Sequence, residues 1–154
     1  MIDNPYPVEV KGPVTWPTLP AKKYPVIVAD CPWAYANWSD KEHGAARSWY
    51  QCLTTKQIAE LPIADVAEDN AALLMWITGP KLAEGAHVPI MKAWGFRPVT
   101  IAFVWNKTTA AGSPYMGLGF YTRSSVEYVM LGIRGKYPRR KESTSIRQFF
   151  ESPR

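Results

Sequence analysis

Tyr24-Pro25-Val26-Ile27-Val28-Ala29-Asp30-Cys31-Pro32-Trp33 is the stretch on which the fold of this chain turns. A short β-branched run that stops at an acid, a proline and an aromatic has the pattern of a buried strand carrying a site at its carboxyl end. Those residues suit chemistry on a flat, amine-bearing ring. The Asp30 carboxylate and the Cys31 carbonyl can each accept one amine proton, while Pro32 and Trp33 offer apolar faces. An exocyclic amine on a purine is a poor nucleophile because its lone pair is delocalised into the ring. Two acceptors holding its protons favour the pyramidal, nucleophilic form and stabilise the positive charge that grows during attack. The plainer alternative is that Asp30 caps a turn and Trp33 packs in the core.

Working outward, the chain reads as strands alternating with helices, an α/β pattern. The first strand is expected at residues 25–30, with further strands at 71–77, 99–106 and 126–133. Residues 34–50 are polar, carry Gly44 and have the composition of a long active-site loop. Thr54-Thr55-Lys56-Gln57 fits a capping box that opens a short helix ended by Pro62. Thr78-Gly79-Pro80 opens the next helix, with Leu82, Ala86, Ile90 and Trp94 near one face, Gly95 as its stop and Pro89 kinking or shortening it. A glycine-bearing loop spans residues 107–119.

Bulk properties narrow the class. The length of 154 residues suits one domain with a sizeable core, and 47% hydrophobic content with seven tryptophans argues against disorder. No apolar run approaches the roughly 18 residues of a membrane span, and Met1-Ile2-Asp3-Asn4-Pro5 lacks the layout of a secretion signal. Cys31 and Cys52 form neither a metal-ligand spacing nor a disulfide framework, so no metal site is expected. The implied setting is the cytoplasm. A net charge of +5 is compatible with a polyanionic partner, although a solvated basic tail (Lys136, Arg139, Arg140, Lys141, Arg147) accounts for it equally well.

Residues 24–33 resemble the Asp-Pro-Pro-Trp strand of the N6-adenine methyltransferases. That family depends on S-adenosylmethionine and includes the messenger-RNA adenosine methyltransferase and phage and bacterial DNA enzymes. Further blocks match in the family's order: Tyr50-Gln51-Cys52-Leu53-Thr54, Ile58-Ala59-Glu60-Leu61-Pro62-Ile63 and Leu74-Met75-Trp76-Ile77-Thr78-Gly79. Ala93-Trp94-Gly95-Phe96, Val104-Trp105-Asn106-Lys107-Thr108 and Gly117-Leu118-Gly119-Phe120-Tyr121-Thr122-Arg123 follow, the last running into Glu127 and Leu131-Gly132-Ile133-Arg134-Gly135-Lys136. The similarity divides the chain into a proline-rich arm (1–23), a methyltransferase domain (24–136) and a basic tail (137–154).

The resemblance implies a Rossmann-like methyltransferase sheet, S-adenosylmethionine as cofactor and a nucleic-acid partner, DNA for the phage or bacterial type. It assigns catalysis to Asp30, Cys31, Pro32 and Trp33, substrate contact to Tyr50, Lys107, Arg123 and Glu127, and cofactor contact to Asp30 and Lys107. Taken without it, Tyr50 is equally a structural tyrosine, Lys107 a solvated charge, and Arg123 with Glu127 an ion pair bracing a loop. His43 and His87 read as surface or loop histidines. Cys31 stands where the family's commonest motif has proline. The backbone acceptor is kept, some rigidity is given up, and Asp30 would raise the thiol pKa and oppose a nucleophilic role. The family's later segments, which supply much of the cofactor pocket, do not appear before Arg154. The sheet is therefore expected to be incomplete on its C-terminal, cofactor-binding side. This also leaves open a noncatalytic nucleic-acid-binding remnant, a homo-oligomer, or a subunit completed by a partner chain.

Overall fold

A computed structural model describes residues 18–35, 51–119, 121–136, 143 and 145–154. Tyr50, His43 and most of the expected arm and active-site loop lie outside the described residues. The elements run β1 (Tyr24–Asp30), α1 (Thr55–Ala59), α2 (Ile63–Val66), β2 (Ala67–Thr78), α3 (Gly79–Ala83), α4 (His87–Ala93), β3 (Arg97–Thr108), β4 (Val126–Arg134) and β5 (Phe149–Pro153). The strands form one sheet in the order β1-β2-β4-β3-β5. β1 is parallel to β2, β3 is parallel to β5, and β4 runs antiparallel to both β2 and β3. The α/β expectation holds in the form of a mixed five-stranded sheet with short helices. The arrangement is consistent with a partial methyltransferase fold.

One sheet face is packed. Leu73, Met75 and Ile77 alternate along β2 toward the helices, where Ile58, Ile90, Met91, Trp94 and Phe96 meet them with almost no exposure. The Trp94 indole N–H donates to the Ile58 carbonyl at 3.1 Å, fastening the end of α4 to α1. Without a side chain at Gly132 the sheet can press against α4; a Cβ there would lie 3.2 Å from the Phe96 Cβ and 3.3 Å from the Met91 sulfur. A fully buried side chain of this size contributes about 1.5–3 kcal/mol relative to its exposed state, so this face carries most of the fold's stability.

The other face is only partly covered. Val28 aligns with Leu74 and Leu74 with Leu131, while Trp76 aligns with Val129 and Val129 with Phe103. Val26 and Val28 are 53% and 64% exposed, which corrects the expectation of a fully buried first strand. β1 is an edge strand: Ile27 and Ala29 pack against the core, and the alternate valines face outward.

The local signals vary in how well they match. Thr54 and Gln57 make the expected capping box, the Thr54 hydroxyl oxygen accepting from the Gln57 N–H at 3.2 Å and the Gln57 side chain accepting from the Thr54 N–H at 2.9 Å. The single helix expected after Thr78 is two, broken at Gly85 with φ +69° rather than kinked at Pro89. Pro89 sits in the first turn of α4, where its missing N–H would have had no helical partner. The expected basic tail contains β5, a strand that no local sequence pattern signals. Phe150 stacks on Trp105 at 6.5 Å between ring centroids, and the Trp105 indole donates to the Ser152 carbonyl at 3.1 Å. Among the described residues no helix is long and apolar enough to cross a membrane.

Two glycines separate conformational from steric cost. Gly85 and Gly135 both have positive φ, but a Cβ at Gly85 meets nothing within 4 Å, whereas one at Gly135 would lie 2.0 Å from the Asp69 carbonyl oxygen. Gly85→Ala is expected to lower the urea-unfolding free energy by about 1–2 kcal/mol, the left-handed penalty alone. Gly135→Ala is expected to lower it by more than about 3 kcal/mol, because backbone must also move.

Candidate active site

The mixed topology gathers chemistry at one end of the sheet. The carboxyl ends of β1, β2, β3 and β5 lie together, and β4 enters among them with its amino end. Asp30 closes β1 opposite Trp76, Thr78 closes β2 opposite Glu127, and Lys107 lies near the end of β3. A cavity of about 150 Å³ opens there, lined by Asp30, Cys31, Trp33, Tyr35, Trp76, Ile77, Thr78 and Glu127. A site of that volume accommodates a benzene-sized ring.

The segment after β1 is pinned by its backbone. The Trp33 N–H donates to the Cys31 carbonyl at 2.9 Å, the Leu53 N–H donates to the Pro32 carbonyl at 2.7 Å, and the Ala34 N–H donates to the Leu53 carbonyl at 3.0 Å. A carbonyl oxygen has two lone pairs, so the Cys31 carbonyl retains one for a ligand. Trp33 is 4% exposed, and its indole N–H donates to the Trp76 carbonyl at 3.3 Å. Its ring is therefore a fixed wall of the cavity, joining the core and pocket readings of this residue. Tyr35 forms another wall, its hydroxyl paired with that of Thr78 at 2.7 Å.

Asp30 stands at the cavity with its carboxyl pKa raised, first by desolvation and then by the negative charge of Glu127, with Lys107 pulling the other way. Lys107 forms an ion pair with Glu127, and its ammonium lies 5.1 Å from the Trp105 ring centroid. Glu127 thus pairs across the sheet with Lys107 and not with Arg123, which is exposed on the loop. Burial, followed by the neighbouring Asp30 charge, pushes the Cys31 thiol up to about 12. The thiol stays protonated and unreactive near neutrality, as the sequence led us to expect.

Asp30, Cys31, Trp33 and Glu127 thus share one cavity, with Lys107 bonded to its rim. Arg123 is not among the lining residues, and Pro32 contributes the backbone bond to Leu53. Tyr35, Trp76, Ile77 and Thr78 were given no role from sequence. The block containing the last three does stand out as apolar and aromatic, but nothing local reveals that it runs beside Asp30. His87, expected at the surface, is buried in α4, because residues 87, 90, 91 and 94 share the inward helix face. Burial lowers its pKa, and it does not line the cavity. Among the described residues, no group of three or more His, Cys, Asp or Glu is arranged to hold a metal ion.

The pattern of the MT-A70 family matches residues 24–151, from the first residue of β1 into β5. This chain belongs to the MT-A70 family. A similar curated protein is the Type II methyltransferase M.MunI of a Mycoplasma species, 31% identical over 152 residues. The alignment covers 88% of this chain and 62% of M.MunI, so the chain spans less than two thirds of that relative's length. Within the MT-A70 match lie every lining residue of the cavity and the Lys107–Glu127 pair.

Two outcomes test the site's electrostatics. In a Cys52→Ser background, Cys31 is expected to react with iodoacetamide at pH 8 at least about a hundredfold more slowly than after unfolding in guanidinium, when its thiol returns to the ordinary range. Asp30 binds its proton more tightly folded than unfolded, so its contribution to stability is full below the unfolded value near 3.9 and lost as pH rises through the folded one. Asp30→Asn is therefore expected to raise the urea midpoint slightly at pH 7, the gain shrinking as pH falls toward 4.

Proposed function

We propose that this chain is a methyltransferase domain acting on the exocyclic amine of adenine in DNA, with S-adenosylmethionine as methyl donor, and that its sheet is part of a Rossmann-like core. The observation that carries the reading is a ring-sized cavity at the end of β1, lined by Asp30, Cys31, Trp33 and Tyr35. MT-A70 membership and the similarity to a methyltransferase support it, as does the net charge of +5 for a polyanionic substrate.

The donor set suits the cofactor. Asp30 and Glu127 bring two carboxylates to one ammonium, Lys107, leaving a net negative site that complements a sulfonium cation. Asp30 and Lys107 are the residues we assign to hold it, Lys107 toward a carboxylate. When bound, the cofactor supplies a methyl group activated by its positively charged sulfur.

The chain's own residues do the rest. The Asp30 carboxylate and the free lone pair of the Cys31 carbonyl accept the two amine protons, so the nitrogen lone pair is drawn out of ring conjugation. As positive charge grows on nitrogen, both acceptors stabilise it more strongly than in the ground state. Trp33, fixed by its bond to Trp76, keeps the ring from sliding. The proton leaves after methyl transfer, when the nitrogen is cationic and strongly acidic, so no strong base is required. Alignment of this kind supplies about 7–11 kcal/mol in favourable intramolecular cases. An adenine in a duplex must first leave the stack, at a cost of roughly a few kcal/mol. Tyr50 and Arg123 are assigned to substrate contact on the family pattern.

A second reading, a site completed by another copy or a partner chain, is favoured by the partly covered sheet face that carries Val26, Val28 and Phe150. Large exposed apolar patches commonly mark interaction surfaces. In that case, turnover per chain rises with protein concentration.

The test is transfer of tritiated methyl from S-adenosylmethionine to adenine-unmethylated DNA, with the product nucleosides separated by chromatography. Label is expected in N6-methyladenine, and Asp30→Ala is expected to lower the rate by at least about a hundredfold. The acid limb of the pH–rate profile is expected at higher pH than an unperturbed aspartate would place it, since only ionised Asp30 accepts the amine proton. Label on another base, or full activity in Asp30→Ala, would overturn the reading.

A further inference from the structure

The loop between β3 and β4 springs from the active end of the sheet, leaving β3 just after Lys107 and returning just before Glu127. Its base is held. Thr108 bridges Pro114, the Tyr115 N–H donates to the Lys107 carbonyl at 3.0 Å, and the Arg154 N–H donates to the Thr108 carbonyl at 3.2 Å. The Arg154 guanidinium also lies 5.2 Å from the Tyr115 ring centroid.

Beyond this base the two legs are pressed together. The Gly117 N–H donates to the Ser124 carbonyl at 3.0 Å. A Cβ on Gly117 would sit 2.2 Å from the Ser124 oxygen, and one on Gly119 would sit 2.0 Å from the Thr122 oxygen. The glycines therefore serve to bring backbone against backbone, not to admit a ligand. The result is a thin two-legged loop, and three of its described large side chains stand in water: Met116 and Leu118 are 75% exposed and Tyr121 is fully exposed. From Thr108 to Ser125 there is no Asp or Glu, while Arg123 is exposed near the tip.

These features have one economical use. The major groove of duplex DNA admits an element as thin as a two-stranded ribbon, and the absence of carboxylates lets this loop approach phosphates. Apolar side chains inserted between base steps hold a duplex unstacked. A base drawn into the cavity leaves a gap in the stack, and this loop departs and returns beside the Lys107–Glu127 pair at the cavity's rim.

We propose that the 109–125 loop is a groove-entering ribbon whose apolar tip, formed by Met116, Leu118 and Tyr121, fills the gap left in the duplex by the extruded base while Arg123 engages a phosphate. The proposal rests on the reading of the cavity as a base pocket and adds the device that keeps the base out of its stack.

The test uses the full chain and needs neither cofactor nor recognition sequence. Binding to a fluorescent 30-base-pair duplex is compared with binding to the same duplex carrying one central abasic gap. The wild-type chain is expected to prefer the gapped duplex by about tenfold, and Leu118→Ala with Tyr121→Ala to reduce that preference to near unity. Arg123→Ala is expected to weaken both complexes alike and to lower the salt slope by about one unit. Equal wild-type affinity for the two duplexes, or an unchanged preference in the tip variants, would overturn the ribbon. Gap preference that depends on the tip, in a chain that transfers no methyl group, would sustain the ribbon and count against the enzymatic reading instead.

Discussion

The register between β2 and β4 governs the site. Thr78 lies opposite Glu127 and Trp76 opposite Val129, while Asp30 lies beside Trp76 on the parallel side. Side chains alternate along a strand, so a slip of one residue would send Glu127 to the helix-packed face and bring Tyr128 in its place. The Lys107 ammonium would lose its partner, and the Asp30 pKa, raised first by desolvation, would lose the further rise that Glu127 adds. The register is held on the helix-packed face, where Leu73, Met75 and Ile77 join the buried cluster with Ile90 and Met91. Core packing on one face therefore sets the electrostatics at the sheet's end.

The two faces differ in kind. On the packed face the apolar side chains are buried; on the other, Val26, Val28 and Phe150 remain exposed, and Trp76, Phe103 and Trp105 are half-buried. The second face is partly protected by its own aromatic contacts. Trp76 meets Trp105 edge-on at 5.9 Å, and Phe150 stacks on the other side of Trp105. Such pairs contribute about 0.5–1.5 kcal/mol beyond area burial, enough to order the row but not to remove its apolar surface from water. A face of this character adjoining a cavity suits further covering structure, which is why the second reading of function has a physical basis.

The first strand, its terminal acid and the short helix after Thr54 were legible because each depends on nearby residues: β-branched alternation, a tight turn, a capping box. The break at Gly85 was not, because Pro89 is the stronger helix-breaking signal and only the helix start shows that it falls where proline is tolerated. β5 was missed for a different reason. Phe149–Pro153 is short, and its stability comes from Trp105 and Asn106, more than forty residues earlier in the chain. The site was half legible. Asp30 and Cys31 could be read from their own surroundings, whereas the Lys107–Glu127 pair depends on the β3–β4 register and the Trp33 wall on the carbonyl of Trp76.

Cys31 illustrates how the fold replaces a covalent restraint with hydrogen bonds. Proline at that position would fix φ and stiffen the backbone beside Asp30. Here the Trp33 N–H bonds that carbonyl from within the turn, while Leu53 clasps Pro32 and Ala34 on either side of Trp33. Trp33 is itself locked by burial and by Trp76. Rotation at Cys31 would break these bonds together, at a net cost of about 0.5–1.5 kcal/mol each. The acceptor beside Asp30 is thus held by cooperation among neighbours. The thiol, kept protonated by burial and by Asp30, adds no competing charge beside the cavity.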